Sequence, residues 1–173
     1  MIPSATERLI FRELTISDER DLYEMLHDPR VMYAYEHTFT QEEVRTWLWR
    51  QQMRYLRDGI GLWALVDRTS GEMVGQAGLT LQRTDREEAA EIGYLLKYRH
   101  WHRGYASEAA SACRDLAFGP LGLRRVISVI RSNNHPSQRV ALRTGMSPEY
   151  RFTKYYYGVK MPHTVYAAYR NGA

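Results

Sequence analysis

Only one of the 173 residues is a cysteine, Cys113, so no intrachain disulfide can form and a reducing compartment, the cytoplasm, is the expected home. Long hydrophobic runs are missing. No stretch approaches the roughly 20 apolar residues that cross a bilayer, and no basic-then-apolar leader follows Met1, so no membrane association is expected. The chain lacks repeats, low-complexity tracts and linkers, and residues 1–173 read as a single domain long enough to bury a core. A strong charge of one sign is also missing. Lys+Arg 24 against Asp+Glu 20 leaves +4, which suits an anionic small ligand and is too little to argue for nucleic acid. His100 and His102 stand two apart with no third ligand at zinc spacing, so no metal is expected.

What is present is globular: 44% of the residues are hydrophobic. Arg8 to Leu14 reads as a first strand, and Ser17 as the cap of a helix over Asp18 to His27, ended by Asp28-Pro29. Thr40 with Glu43 forms a capping box, and Val44, Trp47, Leu48 and Tyr55 recur at helical spacing to Asp58. Gly61 to Asp67 and Glu72 to Gln82 read as strands joined at Ser70-Gly71, with Met73, Ala77, Leu79 and Leu81 on one face. Glu91 to Lys97 is the next strand. A helix follows with Ala109, Cys113, Leu116 and Ala117 along one side, stopped at Gly119-Pro120. Arg125 to Arg131 reads as a buried strand and His135 to Thr144 as a short helix. The tail from Tyr150 to Arg170 is rich in strand formers, broken at Gly158 and at Met161-Pro162, and His163 after that proline is expected at the surface. Helices alternate with strands and hairpin turns, which gives a mixed α/β (α+β) sheet.

The most informative stretch is His100 to Ala109. Gly104 and Ala106 remove bulk where a loop becomes a helix, so free main-chain N–H groups can face an anion, with His102 and Arg103 beside them. Upstream lies the strand Ala90 to Lys97; downstream, after another strand, Asn134 to Met146 opens with Asn134-x-x-Ser137. The order strand, basic glycine turn, helix, strand, Asn-x-x-Ser helix resembles the GNAT superfamily of N-acetyltransferases. The opening Thr6 to Glu13, Trp101 before the glycine loop, and the Arg-Thr-Gly-Met close of the last helix resemble its RimJ/RimL-like branch.

That resemblance implies a central, mostly antiparallel sheet splayed into a V, flanked by about four helices, with acetyl-CoA as co-substrate in the opening. Main-chain groups of Leu95, Leu96 and Lys97 would pair with the pantetheine arm. The loop His102, Arg103, Gly104, Tyr105, Ala106 and Ser107 would hold the pyrophosphate, and Arg99 or Arg139 would reach the 3′-phosphate. Asn134 reads on its own as a helix cap; the resemblance adds contact of Asn134 and Ser137 with the cofactor. Trp101 reads as packing beneath the loop, and Cys113 as a buried small residue. For direct transfer to an amine, Glu91 is the expected base, an N–H near Leu96 the oxyanion donor, and Ser137 the proton donor to sulfur, with Tyr156 or Tyr157 as the alternative.

The acceptor is expected between the two N-terminal helices, the stretch Met32 to Glu36, and the tail. It is a primary amine, either a small molecule or a protein N-terminal α-amino group. Two other readings stay open: an RNA- or ribosome-associated binding module using its basic loop and tyrosines, and a CoA-binding domain of this fold without turnover. Either a monomer or a homodimer fits the sequence.

Overall fold

The structure is a computed structural model that describes residues 1–170. Its strands are β1 (Leu9–Arg12), β2 (Leu62–Asp67), β3 (Met73–Arg83), β4 (Glu88–Leu96), β5 (Arg125–Arg131), β6 (Ser147–Tyr156) and β7 (Val159–Tyr169). They form one sheet in the order β1-β2-β3-β4-β5-β7-β6. The helices are α1 (Glu19–Leu26), α2 (Pro29–Met32), α3 (Gln41–Asp58), α4 (Tyr105–Phe118) and α5 (His135–Arg143). Every neighbouring pair of strands is antiparallel except β4 and β5, which are parallel and share a single rung, Glu91 opposite Ile127. Beyond that rung the sheet opens.

Several local expectations are corrected. Ser17 caps nothing. Asp18 closes a short 3-10 turn by accepting from the N–H of Thr15 at 2.8 Å and holding the Arg12 guanidinium through both oxygens, and α1 begins after it. Asp28-Pro29 does close α1, as expected, but Pro29 also opens α2, because a proline at the first helical position lacks only an N–H that would be unpaired there, and Asp28 caps the turn. β3 is buried on both faces through Thr80, while Leu81 is exposed, because helices cover both sides of the sheet there. β7 runs unbroken through Met161-Pro162. The nitrogen of Pro162 points to the β5 side one residue past the last rung of β5, so no ladder bond is lost, and its carbonyl accepts from Ser132. His163 is therefore a buried strand residue, its Nδ1 2.8 Å from the Met161 carbonyl, and the turn falls at Tyr157-Gly158 instead.

Parity assigns the two faces. Residues directly opposite in an antiparallel pair share a face. Trp63, Ala77, Leu79 and Ile92 pack with Ala109, Cys113 and Ala117 of α4. Ala64 packs with Leu22, Met25, Val44 and Leu48 of α1 and α3. On that same side Trp47 of α3 donates to Gln76 of β3, which fixes Gln76, Gly78 and Thr80, and with them Leu95, Gly93 and Glu91, on the α3 face.

Candidate functional site

The ladder ends at the gap between β4 and β5, and side chains take over its work. Lys97 N–H donates to Val74, so the alternation of an antiparallel pair commits the main chain of Glu91, Gly93 and Leu95 to β3. The groups of Ile92, Tyr94 and Leu96 then face β5. Ser128 Oγ donates to the Ile92 carbonyl at 2.7 Å, and Glu91 accepts the β5 amide of Val129 at 2.9 Å. Trp101 Nε1 donates to the Leu96 carbonyl at 3.0 Å. The N–H and C=O of Tyr94 and the N–H of Leu96 are left facing the gap.

Beside the gap, α4 begins at Gly104, whose φ of 82° is left-handed. Among the described residues, no main-chain N–H from His102 through Ser107 has an acceptor in the protein. A row of free amides at a helix start binds anions, and a sheltered charge there gains up to about 2 kcal/mol from the helix dipole. The loop is braced from behind. Arg8 donates to the Arg103 carbonyl at 2.9 Å, pairs with Glu108 at 2.5 Å, and lies over the Tyr105 ring at 4.6 Å. Thr6 donates to the same Glu108 carboxylate. A peptide carbonyl and the N–H that follows it point in opposite directions, so holding the Arg103 carbonyl outward aims the Gly104 N–H into the cleft. Tyr105 OH donates to Asp67 at 2.6 Å, and this with the Ser70 N–H pulls the Asp67 carboxyl down to about 2.

The cleft is lined by Tyr94, Leu95, Leu96, Trp101, His102, Gly104, Tyr105, Ala106 and Ser107 on one side, and by Tyr33, Asn134, Pro136, Ser137, Arg139, Val140 and Arg143 on the other. Asn134 Oδ1 caps α5 by accepting from Ser137 N–H at 3.2 Å and also accepts from Tyr33 OH at 2.8 Å. Tyr94 OH donates to the Ser137 carbonyl. On the other face, burial pushes the Glu91 carboxyl up, partly offset by Lys154 and the Val129 amide. Tyr35 and Tyr156 meet edge-on at 6.4 Å nearby, and the negative charge of Glu91, added to burial, pushes both phenols up.

The family described as acetyltransferase (GNAT) domain matches residues 8–147. The chain belongs to the GNAT acetyltransferase family. An uncharacterized protein of Bacillus subtilis strain 168, YkkB, is 34% identical to this GNAT acetyltransferase over 142 residues, 82% of this chain and 83% of its own. The uncharacterized N-acetyltransferase YnaD of the same organism is 30% identical over 150 residues, 86% of this chain and 85% of its own. A GNAT-family acetyltransferase from Bacillus anthracis superposes with a TM-score of 0.81 at 27% identity, with 98% of each chain covered. RimL, a ribosomal L7/L12 α-N-protein acetyltransferase solved in complex with coenzyme A, shares the fold with a TM-score of 0.81 at 19% identity, covering 100% of each chain.

The GNAT fold gathers most of the residues singled out in the sequence. Leu95, Leu96, His102, Gly104, Tyr105, Ala106, Ser107, Asn134 and Ser137 line one cleft. Leu95 and Lys97 do not offer main chain to the gap. Leu95 is paired with Gln76, and Lys97 has both its N–H and its carbonyl committed, to Val74 and His100. The Lys97 side chain is buried against Asp21 at 2.5 Å and Glu24 at 3.0 Å. Arg99 pairs with Glu24 and Glu72, away from the cleft, so of the two arginines weighed for the 3′-phosphate only Arg139 lies in it. Arg103 gives its amide to the row while its side chain stays outside the lining. Glu91 and Tyr156 stand on the α3 side, apart from the cleft. The sequence gives Tyr33, Tyr94 and Arg143 no cofactor role: Tyr33 falls in the stretch expected at the acceptor, Tyr94 in the strand before the loop, and Arg143 in the Arg-Thr-Gly-Met close of the last helix, and only the fold brings the three to one cleft.

Proposed function

We propose that the whole chain acts as a single N-acetyltransferase domain that uses acetyl-CoA to acetylate a primary amine, of a small molecule or a protein N-terminus. The observation that carries this reading is the row of unpartnered amides from His102 to Ser107 beside an opened sheet. The donor set fits a diphosphate followed by an amide-bearing arm: free N–H groups and a helix start at one end, Tyr94 and Leu96 main chain along the gap, and Arg139 and Arg143 at the rim. Acetyl-CoA, when bound, supplies the activated acetyl thioester. The chain's own residues do the rest. An ammonium must lose its proton before it attacks, and an ordinary lysine holds it to about pH 10.4. Glu91, raised by burial, accepts that proton. The Leu96 N–H faces the place where negative charge would develop on an oxygen. Ser137 is the donor for the departing thiolate, with Tyr156 as the alternative. The fold shared with RimL supports a RimJ/RimL-like placement. Among the described residues no helix is long and apolar enough to cross a membrane, and a cytoplasmic setting is part of the reading.

The test pairs binding with turnover. A thermal shift with acetyl-CoA that persists at high salt, together with thiol release across an amine panel, is the expected result. A shift only with RNA that salt abolishes would replace the reading with a nucleic-acid binder. CoA binding without thiol release for any amine would leave a non-catalytic member of the fold.

A further inference from the structure

The α3 face of β4 carries the row Glu91, Gly93, Leu95, and the middle of that row has no side chain. Gly93 has no left-handed φ, and a Cβ there would meet only Leu62 Cδ2 at 3.5 Å, an ordinary contact. Neither backbone geometry nor close packing calls for glycine at this position. What its absence of a side chain leaves is room directly beside the Glu91 carboxylate.

The surroundings of that room are unevenly charged. Arg54 on α3 donates to Gln51 Oε1, which also accepts from Leu62 N–H, and Leu62 stands in the same cross-strand row as Gly78 and Gly93. Arg50 lies one turn earlier on α3, on the same side of the helix. From β6, Lys154 rests 5.8 Å from the Phe152 ring. Among the described residues, none of Arg50, Arg54 and Lys154 is paired with a carboxylate. Burial, with the charges of Arg57 and Arg50, holds the Arg54 guanidinium below its ordinary range, and Asp58 and Glu91 offset this only in part. Three acidic side chains nearby are paired: Glu43 holds His37 and the Thr40 N–H, Glu36 holds Arg131, and Asp58 holds Arg57. Among the described residues Glu91 is in no ion pair, and its carboxylate accepts only the Val129 N–H.

We infer that the acceptor lies over Gly93 with its amine at Glu91, and that it is an amine whose own body carries an anionic group, a carboxylate or a phosphate, held by Arg54, Arg50 and Lys154. The inference rests on the proposed acetyl transfer and narrows its substrate class.

Matched pairs test it: α- and β-amino acids against their carboxamides, and an aminoalkyl phosphate against the corresponding amino alcohol. The wild-type enzyme is expected to favour the anionic member by about 10-fold or more in kcat/KM, the lower end of what a charge-assisted hydrogen bond contributes. Arg54→Gln and Lys154→Met should each shrink that ratio. Gly93→Val should raise the acceptor KM, and Gly93→Ala should do so less, with the affinity for CoA kept within about twofold in all four. The carboxylate and phosphate arms show which anion is used. Turnover that treats neutral and anionic members alike would overturn this inference and leave acetyl transfer standing. CoA binding with no turnover for any amine would remove both.

Discussion

Glu91 is the residue on which the proposed acetyl transfer turns. Its carboxylate replaces a ladder bond at the point where β4 and β5 part, so its position is fixed by the splay itself. Burial raises its pKa, and two consequences follow. As a base, it should give kcat/KM an acid limb above the ordinary glutamate range, and Glu91→Gln should remove that limb and lower the rate by about 10²–10⁴-fold. For stability the sign is opposite. A folded pKa above the unfolded value, about 4.3, stabilises the fold below that value, and the contribution is lost as pH rises through the folded pKa. Glu91→Gln should therefore match the wild-type Tm near pH 4 and exceed it as pH rises, until the folded carboxyl has ionised as well, which a thermal melt series would show. A Tm difference that does not change with pH would mean that the carboxyl is not perturbed.

At the scale of elements, the start of α4 depends on strands distant in sequence. The segment leading into β1 brings Thr6 and Arg8 to Glu108 and to the Arg103 carbonyl, and β2 brings Asp67 to Tyr105. Arg8→Met should weaken CoA binding by about 10-fold through a misaligned Gly104 amide. Lysine should not restore it, because a single ammonium cannot reproduce the planar fork that spans Glu108 and the carbonyl; calorimetry on both variants checks this. Gly104→Glu should abolish binding outright, since it forces a side chain into a left-handed φ and sets a carboxylate against the diphosphate. Asp67→Asn should destabilise at neutral pH. The difference should fade on acidification between about 4, where the unfolded carboxyl titrates, and about 2, where the folded one does. Denaturant midpoints across that range measure it.

The whole molecule is a sheet with helices on both sides and a gap through it, and in the proposed function cofactor and acceptor approach from different sides of β4. α4 and α5 frame the cofactor cleft, whereas α3 and the β6–β7 turn stand over Glu91. Between α4 and the sheet the packing is tight. Cys113 is fully buried there, and burial pushes its thiol up. It should react with a thiol reagent no faster than the protein unfolds globally, which a labelling rate compared with denaturant-measured unfolding would test. Fast labelling in native buffer would show that α4 opens on its own.

Much was written locally. The Thr40–Glu43 capping box, the Gly104 turn, the Asn134 cap and the apolar stripe of α4 each depend on residues within a few positions of one another, so periodicity and turn chemistry located them, and the order of the motifs named the family. Other features needed the chain to fold. Pro162 looks like a break until β5 is seen to end beside it, and His163 looks exposed until β7 is flanked on both sides. Arg99 looks like a phosphate ligand until Glu24 and Glu72 arrive from other elements. Which main-chain groups of β4 face the gap is set by pairing parity with β3, and the room over Gly93 by what α3 leaves uncovered. Those are long-range facts: hydrogen-bond alternation and side-chain packing between segments far apart in sequence decide them, and no local pattern carries that information.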